Sequence, residues 1–169
     1  MGLEAGPVPD HTARVGTACV TAGLGFLSGI LWIDLMFDVQ MLRSNRSDPH
    51  ATERSLSVVA AYYRHATSGA RPLDLLIAIV MVATVLALVA QLLAAASPRW
   101  LSWTSFVTAG GPIALALGHT VPSAIKLGAR ADDAAAPERA RLARVILRDH
   151  CIALAGIVGT LIVQLAFGG

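Results

Sequence analysis

Charge is what this sequence has least of. Of its 169 residues only 14% are Asp, Glu, Lys or Arg, against ~25% in an ordinary soluble domain. Cysteine is scarce too, with two residues. Cys19 and Cys151 both lie inside apolar runs and form no CxxC, zinc or haem-attachment spacing. Walker, dinucleotide-binding and flavin motifs are missing as well. These absences exclude a disordered chain, a nucleic-acid-binding module and a secreted disulfide scaffold. What fills the space is apolar: 55% of the residues are hydrophobic, and the mean hydropathy is +0.64.

The apolar residues are gathered into long blocks. A helix needs ~20 apolar residues to cross the hydrocarbon of a bilayer. Spans are predicted at about 15–42, 72–96, 100–121 and 144–167. They use up the chain, so the expectation is one all-α domain: a four-helix transmembrane bundle. The first fourteen residues lack the basic start of a signal peptide, so the first span is expected to be retained. The two cysteines are expected to be small packing residues. Gly25 and Gly29 form a GxxxG pair, a pattern that lets a second backbone approach closely. Gly110-Gly111-Pro112 interrupts the third span and predicts a kink, because proline frees a backbone carbonyl.

Between the first two spans an amphipathic helix is predicted at about 52–67, lying at the membrane surface or against the bundle. Leu56, Val59, Ala60 and Tyr63 form its apolar stripe, and Glu53, Arg54, Ser57 and Arg64 lie off it. Tyr62, Tyr63, Arg64 and His65 read as headgroup anchors. Pro137-Glu138 marks a helix start that runs into the fourth span.

The few charges are one-sided. Arg43, Arg46, Arg54, Arg64 and Arg71 fall in the first long loop. Lys126, Arg130, Arg139, Arg141, Arg144 and Arg148 fall in or beside the second, leaving Arg14 and Arg99 for the other face. By the positive-inside rule both long loops are cytoplasmic and both termini are outside, in a multi-pass cell-membrane protein.

With that topology the ionisable residues inside the spans gather toward the cytoplasm. Asp34 and Asp38 are four residues apart and share a helix face. Asp34 lies ~13 Å along the helix from Arg43, deep enough to make an unpaired charge costly. His119 is near the inner end of the third span, and Arg148, Asp149 and His150 are in the first turns of the fourth. Two carboxylates at this depth need a cation, a metal or a shared proton. Structural ion pairs locking the first span to the fourth would satisfy them. So would a functional pocket lined by Asp34, Asp38, His119 and His150. In an enzyme, His150 is the better general base, Arg148 would stabilise an oxyanion, and Asp34 would orient the imidazole or stay protonated. Asp74 follows Pro72 and reads as a helix-start acid. His119 reads as a hydrogen-bond donor to a backbone carbonyl near the kink.

The segment Thr120-Val-Pro-Ser-Ala-Ile-Lys-Leu127, a charged loop, and Asp149-His150 opening the last span together resemble the anthrone-oxygenase-like family of small four-span membrane proteins. Pro122, Leu127 and His150 are the matching positions; the family's Asn two residues past the proline is Ala124 here. The resemblance implies cofactor-free oxygenation of an aromatic anthrone to an anthraquinone. The expected partners are the bilayer and a hydrophobic small molecule, with a second copy or a larger membrane complex as further candidates; neither a cofactor nor nucleic acid is expected. A metal held by two Asp and two His is the chemical alternative. The Asp-x-x-x-Asp pair lacks the preceding Asp-Gly and Ala-Arg run of membrane phosphatidyl-transferases. The non-enzymatic alternative is an accessory subunit or a proton- or ion-handling bundle.

Overall fold

The computed structural model describes residues 11–39, 49–68, 71–94, 98–129 and 136–168. They form five helices: α1 (His11–Asp38), α2 (Pro49–Ser68), α3 (Arg71–Ala94), α4 (Arg99–Ala129) and α5 (Ala136–Phe167). All but α2 are long and apolar enough to cross a membrane. The four apolar helices fit a small polytopic membrane protein. Their outward faces are oily, as on α3, where Leu75, Ile79, Val82, Leu86 and Leu93 recur at helical spacing and are exposed. Cys19 and Cys151 are also exposed and unbridged. The expectation that they pack inside the bundle is corrected, since each falls on an outward face.

The helix boundaries follow local chemistry. Proline opens α2, where its missing N–H costs no hydrogen bond. The carbonyl of Pro98 accepts from the N–H groups of Leu101 and Ser102 at 2.9 and 3.3 Å, starting α4. The α5 helix does run unbroken from the charged segment into the apolar one. The first span's helix ends at Asp38 rather than near residue 42, and 40–42 lie outside the described residues.

The third span departs most from expectation. Its helix continues to Ala129 instead of stopping near 121. Two widened π-helical turns, Phe106–Gly110 and Ala116–Thr120, precede Pro112 and Pro122. In the second, the Val121 N–H reaches back five residues to the Ala116 carbonyl. A widened turn gives the pyrrolidine ring room against the preceding carbonyls, so α4 survives both prolines. Thr108, whose carbonyl Pro112 cannot engage, packs on α5 at Gly156. A Cβ at Gly156 would lie 2.4 Å from that oxygen, so only glycine allows this contact.

Helix α1 packs most extensively on α5 and α3, with Val20, Leu24, Leu27, Leu88, Ile113 and Ile157 buried between the helices. Among the described residues, a Cβ on Gly25 or Gly29 would meet nothing within 4 Å, so the GxxxG pair makes no close helix contact within this chain. The close approach falls to Gly23, beside Thr84. Helix α3 packs on α4 mainly through Arg99–Ser105 and Phe106–Gly110, and the two diverge beyond. Helix α2 docks on the far stretch of α4, Val121–Ala129, and on α5. Its stripe of Leu56, Val59, Ala60 and Tyr63 is buried against Ala124, Leu127, Ala143 and Ile146. Gly128 permits that crossing, since a Cβ there would sit 2.8 Å from the Arg64 nitrogen.

The end of the bundle opposite α2 holds a neutral polar network. The Gln164 amide nitrogen donates to Gln91 Oε1 and Ser105 Oγ, both at 3.0 Å, and the Gln91 amide donates to Thr17 Oγ1 at 3.2 Å. Gln164 and Gln91 are buried.

Candidate functional site

Three helices bring titratable groups together at the α2 end. The last turns of α1 present Asp34 and Asp38 on one face. Helix α5 contributes His150, and α2 contributes Tyr62 and Tyr63. Asp38 is wholly buried. Its Oδ1 accepts from the Tyr63 hydroxyl at 2.7 Å, and its Oδ2 lies 2.7 Å from His150 Nδ1. This contact occupies Nδ1 and leaves Nε2 as the free face of the ring. That face points toward Asp34, whose Oδ2 is 4.0 Å away. Asp34 Oδ1 accepts from the Tyr62 hydroxyl at 2.5 Å.

The tyrosines are held as donors. Burial, reinforced by the Asp34 carboxylate it donates to, pushes the Tyr62 phenol well above its ordinary range. Burial and the Asp38 charge do the same to Tyr63. Tyr62 also stacks on Phe37, with ring centroids 4.1 Å apart and planes 10° from parallel. The expected anchoring of Tyr62 and Tyr63 in headgroups is therefore corrected: both hydroxyls turn into the bundle. Tyr63 did lie on the apolar stripe, and that periodicity was the available signal.

Above this group the divergence of α3 from α4 leaves a cleft of about 450 Å³, within the ~300–1,000 Å³ typical of small-molecule sites. Asp34, Tyr62, Tyr63, Thr120 and His150 supply its polar lining. Ile33, Leu73, Leu117, Val121 and Ile125 line its walls and are exposed on the apolar flank of the bundle. Asp74, in the first turn of α3, also faces the cleft. A smaller cavity of about 100 Å³ adjoins Asp34, Thr120 and His150.

The structure thus joins Asp34, Asp38 and His150, and separates His119 and Arg148 from them. His119 Nδ1 lies 2.7 Å from Asp149 Oδ2, so its partner is a carboxylate and not a backbone carbonyl. The Thr120 hydroxyl donates to the same oxygen at 3.3 Å. Arg148 donates to Asp149 Oδ1 through Nε and a terminal nitrogen at 3.2 and 3.0 Å. Asp149 is buried, whereas the side chains of His119 and Arg148 are 49% and 64% exposed. Asp149 and His150 are adjacent on α5 and so point ~100° apart, into the two separate groups. Among the described residues, no three His, Cys, Asp or Glu side chains converge as a metal site.

Comparisons with protein-family models, with curated proteins and with solved structures found no match.

Proposed function

We propose that this membrane protein binds an apolar small molecule in the cleft and takes a proton from it with His150. The observation that carries this reading is the buried Asp38–His150 contact of 2.7 Å. In this reading the contact fixes the ring, keeps a proton on Nδ1 and leaves Nε2 facing Asp34 at the edge of the cleft. This is how a carboxylate prepares an imidazole as general base. The orienting residue is Asp38 rather than Asp34. Asp34 and Tyr62 face the same gap and supply hydrogen bonds to whatever enters it.

The resemblance of Thr120–Leu127 and Asp149-His150 to anthrone oxygenases supports a specific reaction, a ring CH₂ plus O₂ giving C=O plus H₂O. His150 Nε2 would take the first proton from the CH₂ carbon, and the carbanion would reduce O₂. The peroxide would recover that proton, and water would leave with the second hydrogen. The bias of Arg and Lys supports placing the cleft on the cytoplasmic side. Arg148, held on Asp149, has no part in stabilising an oxyanion in the cleft.

The test is oxygen uptake and quinone absorbance with an anthrone substrate, on purified protein in nanodiscs. His150→Gln and Asp38→Asn should each lower turnover by about 10²–10⁴-fold while the protein stays folded. Unfolding of both variants without a turnover-specific loss would favour structural ion pairs. Loss of wild-type turnover on chelation would overturn the cofactor-free chemistry.

A further inference from the structure

The protonation state of His150 has to be set against solvent before it can act as a base, and the apolar flank of the cleft is a poor route. Ile33, Leu73, Leu117, Val121 and Ile125 surround that side, and ions cross hydrocarbon only at high cost. A second group of polar side chains begins at the cleft and ends at the surface. Thr120 is buried but lines both the cleft and the smaller cavity, which it shares with Asp34 and His150. Its hydroxyl donates to Asp149 Oδ2, and His119 Nδ1 meets the same oxygen. The His119 side chain is half exposed. The widened turn Ala116–Thr120 presents both α4 residues to that single oxygen. A cavity of about 100 Å³ adjoins both His150 and Thr120.

We propose that Thr120, Asp149 and His119 form a proton relay between the cleft and the surface, resting on the reading of His150 as a base. A proton captured by Nε2 of His119 displaces the Nδ1 proton onto Asp149. The Thr120 hydroxyl, which donates to Asp149 at rest, first rotates toward the cleft; Asp149 then passes its proton to the Thr120 oxygen as that hydroxyl releases its hydrogen into the cleft. Run in reverse, the same chain carries a proton from a protonated resting His150 to the surface. One proton enters and one leaves, so no other co-reactant is needed. Besides His119, the charged group bonded to Asp149 is Arg148 on α5; it clamps Oδ1 and leaves Oδ2 to the relay.

The experiment is infrared spectroscopy of the purified protein in nanodiscs after photorelease of a caged proton. The His150 imidazole signal is identified by its absence in His150→Gln. Thr120→Val and His119→Gln should each slow protonation of His150 by about tenfold or more, with the end-point titration unchanged. Thr120→Ser, which keeps the hydroxyl, should match wild type. Unchanged rates in both Thr120→Val and His119→Gln, or a shifted end point without slowing, would overturn the relay. Either result leaves His150 a base. A His150 that never titrates in wild type would overturn the base reading and the relay with it. If Thr120→Val does not fold, His119→Gln decides, because that side chain is half exposed.

Discussion

The two ends of this bundle bury polar side chains in different ways. At the end opposite α2, Gln91, Gln164, Ser105 and Thr17 are joined by neutral hydrogen bonds. Among the described residues, this network has no titratable member, and one amide oxygen, Gln164 Oε1, has no partner. At the α2 end, carboxylates, one imidazole and two phenols line a cavity. Both networks tie helices together, so helix association alone explains the first. It does not explain the second, because amides and hydroxyls hold transmembrane helices without the desolvation cost of a carboxylate. Groups that can gain and lose protons, set beside an open cleft, are what the proposed proton chemistry requires.

The sharpest way to break this contrast is to remove one member from each end and compare unfolding. Asp38→Ala strands His150 and Tyr63 without their shared acceptor. Each buried donor left unsatisfied costs about 1–3 kcal/mol, so the loss of the shared acceptor should cost about 2–6 kcal/mol. Gln164→Ala should cost about 1–2 kcal/mol, in the range of hydrogen bonds between transmembrane helices. Reversible unfolding in mixed micelles, with the denaturing detergent as titrant, measures both. Equal costs would mean that the Asp38 group is also structural and that the ends differ only in composition.

Much of this contrast is legible in the sequence, because it depends on depth and sidedness. Asp34, Asp38 and His150 stand out as costly residues within apolar runs, and Arg counting places them at one end. Periodicity finds the apolar stripe of α2. Pairing was harder to read. Asp149 and His150 are neighbours in sequence, yet helical geometry sends them to different clusters. His119 reaches Asp149 because a widened turn shifts its register, and π turns carry no reliable residue signature. The docking of Tyr62 and Tyr63 was hidden because tyrosine suits both a headgroup region and a buried hydrogen bond. GxxxG spacing is open for a related reason: it shows that a close approach is allowed, and within this chain tertiary packing gives that approach to Gly23 rather than Gly25.

The tyrosines offer a test that spares the carboxylates. Both phenols are raised above the ordinary value of 10.0 in the folded protein. The folded state therefore holds these protons more tightly than the unfolded chain. Their contribution to stability is complete below pH ~10 and is lost as pH rises beyond it. Wild type should lose stability above pH ~10 more steeply than a Tyr62→Phe/Tyr63→Phe variant. The same slope in both proteins would show that the phenols do not hold α2 on the bundle.

The smallest effect should come from the outer contact of α2. Arg139 hydrogen-bonds Glu53, whose side chain is 48% exposed. An ion pair this open to solvent contributes about 0–1 kcal/mol, since water screens it and two long side chains must be held in place. Glu53→Gln should therefore change stability by less than about 1 kcal/mol and leave the α2-end cavity intact. Protection of α2 amides from hydrogen exchange reads this directly. Unchanged protection in Glu53→Gln, with loss in Asp38→Ala, would place the hold on α2 at the buried carboxylates. Loss of protection in Glu53→Gln would instead place it at the surface, and the α2 end would then owe its order to a contact remote from the cleft.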